Sequence, residues 1–191
     1  MPLDNIKALY EQLKPLGFLS HLDEEQMDWL MKVAEIDGIW AHDATLRGYG
    51  AGGEWMAEGG ICDFLALVEP YLRSQRVPRV ECRQEFRDED RAYLVTVNGR
   101  RYTIYTEQDF GEVWLWAQAS VRTFQIIEDL LREAGSPERI YALKGDIGYG
   151  GSCVFLTPKM AEVVNSSPYV PNDQKLFTVE KAARWIVDLE D

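Results

Sequence analysis

The sequence predicts a single α+β domain over residues 1–191, in which an antiparallel or mixed sheet of about five strands packs against a central apolar helix and flanking helices. Three observations lead to this class. The chain is long enough to bury one core, and 46% of its 191 residues are hydrophobic. Consecutive strand-like segments are joined by turns, which makes neighbouring strands antiparallel. The helical segments do not alternate regularly with strands, as they would in a doubly wound sheet.

Two amphipathic helices are predicted at the start of the chain. Pro15 ends the first, whose apolar residues recur at helical spacing: Ile6, Leu9, Tyr10 and Leu13. The segment DEEQ at 23–26 matches a capping box, in which Asp23 and Gln26 each accept a hydrogen bond from the other's backbone amide. The second helix therefore begins there, and its apolar stripe continues towards Asp37.

Residues 38–60 are rich in glycine and have no sustained periodicity, so they predict a long loop with one short strand near 39–41. Long loops in compact domains are uncommon and often functional. A third helix follows, with an apolar face formed by Ile61, Phe64, Leu65, Val68 and Leu72. Because Pro70 has no backbone donor, we expect it to kink or restart this helix.

A strand and then a β-hairpin are predicted in the middle of the chain. Residues 79–86 alternate between charged and less polar side chains, which predicts a strand with one solvated face; the other face holds Val80, Cys82, Gln84 and Phe86. Asn98 and Gly99 then form a pair well suited to the two positive φ angles of a type I′ turn. This turn predicts the following cross-strand pairs: Val97 with Arg100, Val95 with Tyr102, and Tyr93 with Ile104.

A long helix with a broad apolar surface is predicted between the two groups of strands. The segment DFGE at 109–112 matches a capping box at its start, and Gly135 with Pro137 marks its end. Apolar residues cover most of its circumference, which is typical of a central helix packed on a sheet.

One more hairpin and two helices complete the predicted fold. Segments 139–144 and 152–156 are short and rich in β-forming residues, so we interpret them as the two strands of a hairpin. Thr157 and Pro158 match an N-cap and a first helical residue, and Thr178 is the predicted N-cap of the last helix.

Two glycine-rich segments raise the question of a phosphate site: RGYGAGGEW at 47–55 and GDIGYGGSC at 145–153. A Walker loop needs GxxxxGK[ST], and a dinucleotide loop needs GxGxxG between a strand and a helix; both segments lack these patterns. The second segment precedes a strand, so no helix N-terminus receives an anion there, and Asp146 would repel one. We interpret it as a hairpin loop that can serve recognition through Tyr149, and we expect no cofactor.

The charge balance bears on the kind of partner. The chain has 32 acidic and 20 basic residues, a net charge of -12. Nucleic-acid binding needs clustered Lys and Arg, so no nucleic acid is expected as a ligand. An acidic surface favours a basic protein partner, or it serves solubility. No segment approaches the ~18 apolar residues of a membrane span, and the start of the chain lacks a targeting pattern, so we expect a cytoplasmic protein without membrane contact.

Cysteine and histidine form no recognisable catalytic or metal-binding motif. The chain has three cysteines: Cys62, Cys82 and Cys153. Their odd number and wide spacing predict neither a disulfide framework nor a CxxC site, so we interpret them as small core residues. The two histidines, His21 and His42, form no metal motif. A thiol site of Cys62 with His42 and Asp43 is disfavoured, because an apolar helix face disfavours a thiolate.

The segments GSPERIYALKGD at 135–146 and CVFLTPKM at 153–160 follow a tryptophan-bearing helix. Together they resemble parts of the small immunity proteins of bacterial polymorphic and interbacterial toxin systems. The resemblance covers about a quarter of the chain and assigns no role to any single residue. It implies an inhibitor that binds a cognate toxin, which agrees with the acidic charge and with the lack of a catalytic motif.

The sequence thus predicts a protein-binding surface of loop-borne acids and aromatics, which combine steering towards a basic target with contact area. The predicted partner-binding residues are Tyr49, Glu54, Trp55, Asp88, Glu89, Asp90, Asp146 and Tyr149. The alternative is a small enzyme or a small-ligand-binding protein with a pocket beneath the glycine-rich loop at 38–60.

Overall fold

Seven strands in two antiparallel sheets and six helices make up the fold of the residues that the computed structural model describes, which are 2–20, 22–37, 40, 47–110, 115–147 and 151–188. The helices are α1 (Leu3–Leu13), α2 (Glu24–Asp37), α3 (Ile61–Ser74), α4 (Leu115–Glu133), α5 (Pro158–Ser166) and α6 (Val179–Asp188). The strands are β1 (Gly48–Tyr49), β2 (Cys82–Arg87), β3 (Ala92–Val97), β4 (Arg100–Tyr105), β5 (Arg139–Leu143), β6 (Cys153–Leu156) and β7 (Leu176–Thr178). The predicted α+β class is confirmed.

The strands form two sheets, so the prediction of one sheet of about five strands was wrong. The four-stranded sheet has the order β1-β6-β5-β7, and the three-stranded sheet has the order β2-β3-β4. Strands β1 and β7 have only two and three residues, which is too short to leave an alternating pattern in the sequence. The strand predicted near 39–41 falls largely outside the described residues, and Trp40 lies in a turn.

The hairpin of β3 and β4 forms around the predicted turn. Asn98 and Gly99 have φ angles of +50° and +83°, as a type I′ turn requires. Val97 faces Arg100 and Val95 faces Tyr102, as predicted. A bulge next to Tyr93 then shifts the register, so Tyr93 faces Tyr105 and the predicted partner Ile104 is displaced by one position.

Local signals set the ends of several helices. Asp23 Oδ1 accepts from the Gln26 amide at 2.8 Å, and Gln26 Oε1 accepts from the Asp23 amide at 2.9 Å, so the predicted capping box opens α2. Thr157 accepts from the Met160 amide at the start of α5. Helix α3 continues through Pro70 to Ser74, and no restart occurs at the proline.

The two ends of α4 differ from each other in how well the sequence predicts them. At its end, Gly135 has φ +66°, and the Ser136 amide donates to the Leu131 carbonyl at 3.0 Å in a Schellman motif. At its start, residues 111–114 lie outside the described part of the chain. Asp109 serves a different capping box, in which its carboxylate accepts from the Thr106 amide at 2.5 Å across the 3₁₀ turn Glu107–Asp109.

Two apolar cores lie on opposite faces of the four-stranded sheet, because successive side chains of a strand point to opposite faces. Ile140 and Phe155 belong to the core that also includes residues of α3, α4, α6 and the three-stranded sheet. Tyr141 and Val154 belong to the core that is shared with α1, α2 and α5. Helix α4 contacts strands of both sheets, β4 and β5.

A disulfide joins Cys62 to Cys82, so the interpretation of these two cysteines as free core residues was wrong. The two residues are 20 positions apart, but the fold brings the first turn of α3 beside the start of β2, with a Cα–Cα distance of 5.4 Å. Only Cys153 is a free, buried cysteine as predicted. Sequence spacing did not reveal the pair because the contact depends on how α3 packs against β2.

Candidate functional site

Residues 53–60 form a short helical stretch that leads into α3, α-helical at Gly53–Trp55 and π-helical at Met56–Gly60, so the prediction of a loop was wrong for this part of 38–60. This stretch lies at the centre of the candidate site. Each glycine in this segment has a close neighbour: a Cβ on Gly53 would lie 2.9 Å from the Cβ and the carbonyl oxygen of Trp116. Gly59 has φ +107°, a conformation that L side chains rarely adopt, and this bends the chain into α3. The segment therefore packs against both α4 and the three-stranded sheet.

Four large aromatic side chains around this segment are exposed. The exposed fractions are 40% for Trp55, 52% for Phe86, 39% for Phe110 and 44% for Trp116. The place that a Cβ on Gly59 would occupy is 3.3 Å from the Phe86 ring, and the indole of Trp55 lies over Gly60. A cluster of exposed aromatics on adjoining elements is unusual for a surface without a partner.

Buried tyrosines fix the positions of two of these aromatics. Phe86 stacks on Tyr93 with ring centroids 4.3 Å apart, and Phe110 meets the ring of Tyr105 edge to face at 5.5 Å. The Tyr105 hydroxyl donates to the carbonyl oxygen of Ala57 at 2.8 Å. Strands β2 and β3, residues 105–110 and residues 53–60 are therefore held together as one support.

Acidic side chains surround the aromatics, and we call the two sets together the aromatic–acidic surface. Its exposed acids are Glu54, Glu58, Asp88, Glu89 and Asp90. Asp90 pairs with Arg87, and Arg91 lies 4.3 Å over the Phe110 ring while it pairs weakly with Glu107. Among the described residues, no ion pair involves the other four acids, so their charges are available to a partner.

A separate cavity of about 380 Å³ lies beside the C-terminal part of α3 and takes in Tyr49. Its lining residues are Ser20, Arg47, Tyr49, Pro70, Tyr71, Ser74 and Gln75. The Tyr49 ring contacts Phe155 edge to face, and Tyr71 stacks on the same ring. Burial raises the pKa of the Tyr71 hydroxyl, and the neighbouring Glu138 carboxylate raises it further, so this hydroxyl stays protonated at neutral pH.

In the described part of the chain, the His, Cys, Asp and Glu side chains form neither a metal site nor a reactive thiol site. No group of three or more His, Cys, Asp or Glu among those residues is arranged to hold a metal ion. His21, His42 and Asp43 lie outside them. Burial raises the pKa of the Cys153 thiol, which disfavours a thiolate. The disulfide leaves Cys62 without a free thiol, as the thiol site of Cys62 with His42 and Asp43 would require.

Five of the eight predicted partner-binding residues lie on two segments that Gly59 and Phe86 link to each other. Glu54 and Trp55 lie in the central segment, and 88–90 form the turn after Phe86. Tyr49 is half-buried in the separate cavity. Asp146 is half-buried, and its carbonyl oxygen accepts from the Gly151 amide at 2.8 Å.

Tyr149, the last predicted partner-binding residue, lies outside the described residues. The three aromatics that sequence reasoning missed are Phe86, Phe110 and Trp116. Strand alternation places Phe86 on the less polar face of its strand, and Trp116 lies on the helix whose apolar residues cover most of its circumference. Neither pattern indicates how much of a side chain its neighbours leave uncovered.

The two glycine-rich segments lie against each other. Strand β1 pairs with β6, with Tyr49 opposite Cys153. A Cβ on Gly151 would lie 2.5 Å from the carbonyl oxygen of Ala51, and φ at Gly151 is +64°. The second segment links β5 to β6, as the hairpin interpretation predicted. The glycines thus allow close backbone packing between the two loops.

Comparison of the chain with protein-family models, with curated proteins and with solved structures found no match. None of the described helices combines the length and the apolar character that crossing a membrane requires.

Proposed function

We propose that this protein is a non-catalytic binding protein, an immunity or inhibitor protein that neutralises a cognate bacterial toxin by direct contact through its aromatic–acidic surface. The observation that carries the proposal is the convergence of Trp55, Phe86, Phe110 and Trp116 around one segment, each between 39% and 52% exposed. Large, rigid aromatic side chains are the residues that contribute most binding energy at protein interfaces.

The charge of the surface selects the kind of partner. Five exposed acids border the aromatics, and the whole chain has a net charge of -12. Complementary charge accelerates encounter and disfavours acidic partners. A basic toxin domain fits this surface, whereas nucleic acid does not, because its phosphates would meet uncompensated carboxylates. The resemblance of 135–146 and 153–160 to immunity proteins supports the same class.

Inhibition by such a protein needs no chemistry of its own, because covering the active site of the toxin or an adjoining surface is sufficient. The aromatics supply contact area, and the tyrosines behind them limit the rearrangement that binding would require. Cytoplasmic residence remains a prediction from the sequence.

A second candidate function rests on the cavity beside Tyr49. Its volume of about 380 Å³ suits a small ligand. Its lining includes Arg47 and Tyr49 from the glycine-rich segment 47–55. Arg47 lines this cavity but is bonded to Glu138, so its charge is already compensated. A small enzyme or ligand-binding protein would use the hydroxyls of Tyr49, Ser20 and Ser74 there.

Capture and inhibition together test the proposal. The tagged chain is used as bait in extracts of its source organism, in parallel with Phe86→Ser and with Tyr169→Ser, an exposed aromatic in the loop between α5 and β7. We expect a basic protein that wild type and Tyr169→Ser retain and that Phe86→Ser loses. The captured protein should be toxic when expressed alone and harmless when expressed with the wild-type chain.

Two outcomes would contradict the proposal. A partner retained equally by all three baits would not use the aromatic–acidic surface. A captured protein that shows no toxicity, or keeps it in the presence of this chain, would remove the inhibitor function. Stabilisation of the chain by a small molecule, lost in Tyr49→Ala and kept in Trp55→Ala, would favour the cavity instead.

A further inference from the structure

We propose that the Cys62–Cys82 disulfide is a redox-controlled clamp on the aromatic–acidic surface. The oxidised chain holds the surface in its binding geometry, and reduction of the bond releases it. This inference rests on the proposed function, because it assigns the regulation of the same surface.

The disulfide lies at the junction of the two elements that carry the central aromatics. Cys62 is the second residue of α3 and lies two positions after Gly60, over which the Trp55 indole lies. Cys82 is the first residue of β2, four positions before Phe86. The covalent bond therefore joins the segment that carries Trp55 to the strand that carries Phe86.

Few other interactions hold β2 in place. In the part of the chain that the structure describes, β2 is an edge strand with β3 as its one neighbour in the sheet. Residues 83–86 are exposed, so the strand buries little area of its own. Besides its ladder with β3, its attachments include the Phe86–Tyr93 stack, a hydrogen bond of 3.0 Å from the Tyr93 hydroxyl to Gln84, and the exposed ion pair of Glu85 with Arg101 of β4. Segments with few buried contacts open at low free-energy cost.

On the other side of the clamp, residues 53–60 have an attachment of their own, the Tyr105–Ala57 hydrogen bond, but they meet β2 through Gly59. Residues 53–60 turn into α3 at Gly59, and glycine at φ +107° can change its backbone angles more readily than any other residue. A Cβ on Gly59 would lie 3.3 Å from both Gln84 and Phe86, so this contact persists only while α3 and β2 keep their spacing. Without the disulfide, no covalent bond fixes the distance between Trp55 and Phe86, and only the noncovalent contacts of Gly59, Tyr93 and Tyr105 hold the two segments together.

The bond can change state because both cysteines are only half-buried. A small or protein disulfide oxidant, such as oxidised glutathione, accepts two electrons and two protons from the two thiols. It is thereby reduced to two thiols while the Cys62–Cys82 bond forms. The reverse exchange with two thiols restores both cysteines. A reducing compartment, such as the cytoplasm that the sequence predicts, therefore favours the open surface, and the clamped surface forms there only under oxidising conditions.

Hydrogen exchange followed by mass spectrometry tests the clamp without a partner. The full chain is compared in the oxidised form, in the form reduced with a thiol and in the double variant Cys62→Ser/Cys82→Ser. We expect amides at 53–66 and 82–87 to exchange about tenfold faster or more in the two bond-free forms, whereas amides of α4 at 117–131 keep their rates. Equal rates in all three forms, or a uniform acceleration that includes α4, would overturn the clamp.

Binding of the captured basic partner separates this inference from the proposed function. Affinity about tenfold or more higher for the oxidised chain than for the double variant supports the clamp. Equal affinity of the two forms overturns the clamp and leaves the proposed function intact. If no basic partner depends on Phe86 but the local exchange rates still respond to reduction, the proposed function fails and the redox control of this segment stands.

Discussion

Arg47 donates hydrogen bonds from Nη1 to both carboxylate oxygens of Glu138, at 2.7 and 2.6 Å, across 91 positions of the chain. Less than a tenth of either side chain is exposed. Arg47 also donates to the carbonyl oxygens of Phe18 and Phe155, and the Tyr71 hydroxyl donates to Glu138. This network joins the segment after α1 to α3 and to the four-stranded sheet, so it ties the two cores together.

Removal of one partner of this buried pair should destabilise the fold strongly. Arg47→Met leaves the Glu138 carboxylate buried without a cation, and we expect the free energy of unfolding to fall by about 3 to 5 kcal/mol. The double variant Arg47→Met/Glu138→Leu should lose less than the sum of the two single changes. Lys159→Met, which breaks the exposed pair with Glu162, is the control and should cost less than about 1 kcal/mol. Urea unfolding measures all four, and additive losses would show that the pair is not coupled.

Gly60 sets the position of the Trp55 indole. An added Cβ would lie 2.5 Å from two of its ring atoms, although φ −79° at Gly60 suits alanine. Gly60→Ala should therefore displace the indole and change the free energy of unfolding by less than about 1 kcal/mol, because an exposed ring can swing outwards. The indole N–H resonance of Trp55, assigned with Trp55→Phe, should shift. Gly50→Ala has open space around its Cβ and should leave that resonance in place. An unshifted resonance in Gly60→Ala would mean that the ring lies elsewhere.

The capping box of Thr106 and Asp109 should make the turn before Phe110 sensitive to acid. Burial acts to raise the pKa of Asp109, but hydrogen bonds from Gln118 and Thr106 outweigh it and hold the pKa below its ordinary value of 3.8. A depressed pKa stabilises the fold above the unfolded value, and this contribution is lost as the pH falls through the folded pKa. Asp109→Asn should therefore be less stable than wild type at pH 7, and the difference should be smaller at pH 3. Urea unfolding at the two pH values measures it, and a difference that is undiminished at the lower pH would contradict the assignment.

Reversal of acidic charges on the surface should slow association with the basic partner. Glu54→Lys and Asp88→Lys remove attraction before contact, so the association rate should fall and depend less on salt, while dissociation changes little. Asp28→Lys, on the exposed side of α2, carries the same change in net charge as a control. Surface-plasmon kinetics at several salt concentrations give both rates. An equal effect of all three variants would assign the steering to net charge alone.

Much of the local structure could be predicted because its causes are local. The capping box of Asp23 and Gln26 lies within four residues, and the Asn98-Gly99 turn needs only its own backbone preferences. Asp109 shows the limit of such signals. Its side chain suits a capping box with Thr106 as well as one with Glu112, and the structure shows the box with Thr106.

The features that define the site depend on distant parts of the chain. The Arg47–Glu138 pair and the Cys62–Cys82 bond join residues 91 and 20 positions apart, and no periodicity encodes them. Trp116 belongs to an apolar stripe of α4, yet the fold leaves it 44% exposed. The predicted site residues at 54–55 and 88–90 share only their composition in the sequence, and the position of Gly59 beside Phe86 relates the two segments in the fold.

The affinity of the captured basic partner for Trp55→Ala, measured beside Trp29→Ala, shows whether the aromatic–acidic surface binds the toxin. Both tryptophans are exposed, at 40% and 48%, but Trp29 lies on α2, outside the aromatic–acidic surface. If that surface binds the toxin, Trp55→Ala should weaken binding by about 1 to 3 kcal/mol, mainly through faster dissociation, and Trp29→Ala should bind as wild type does. Circular dichroism must show that both variants are folded. Equal affinity of folded Trp55→Ala and wild type, or a loss of affinity confined to Trp29→Ala, would show that the aromatic–acidic surface does not bind the toxin.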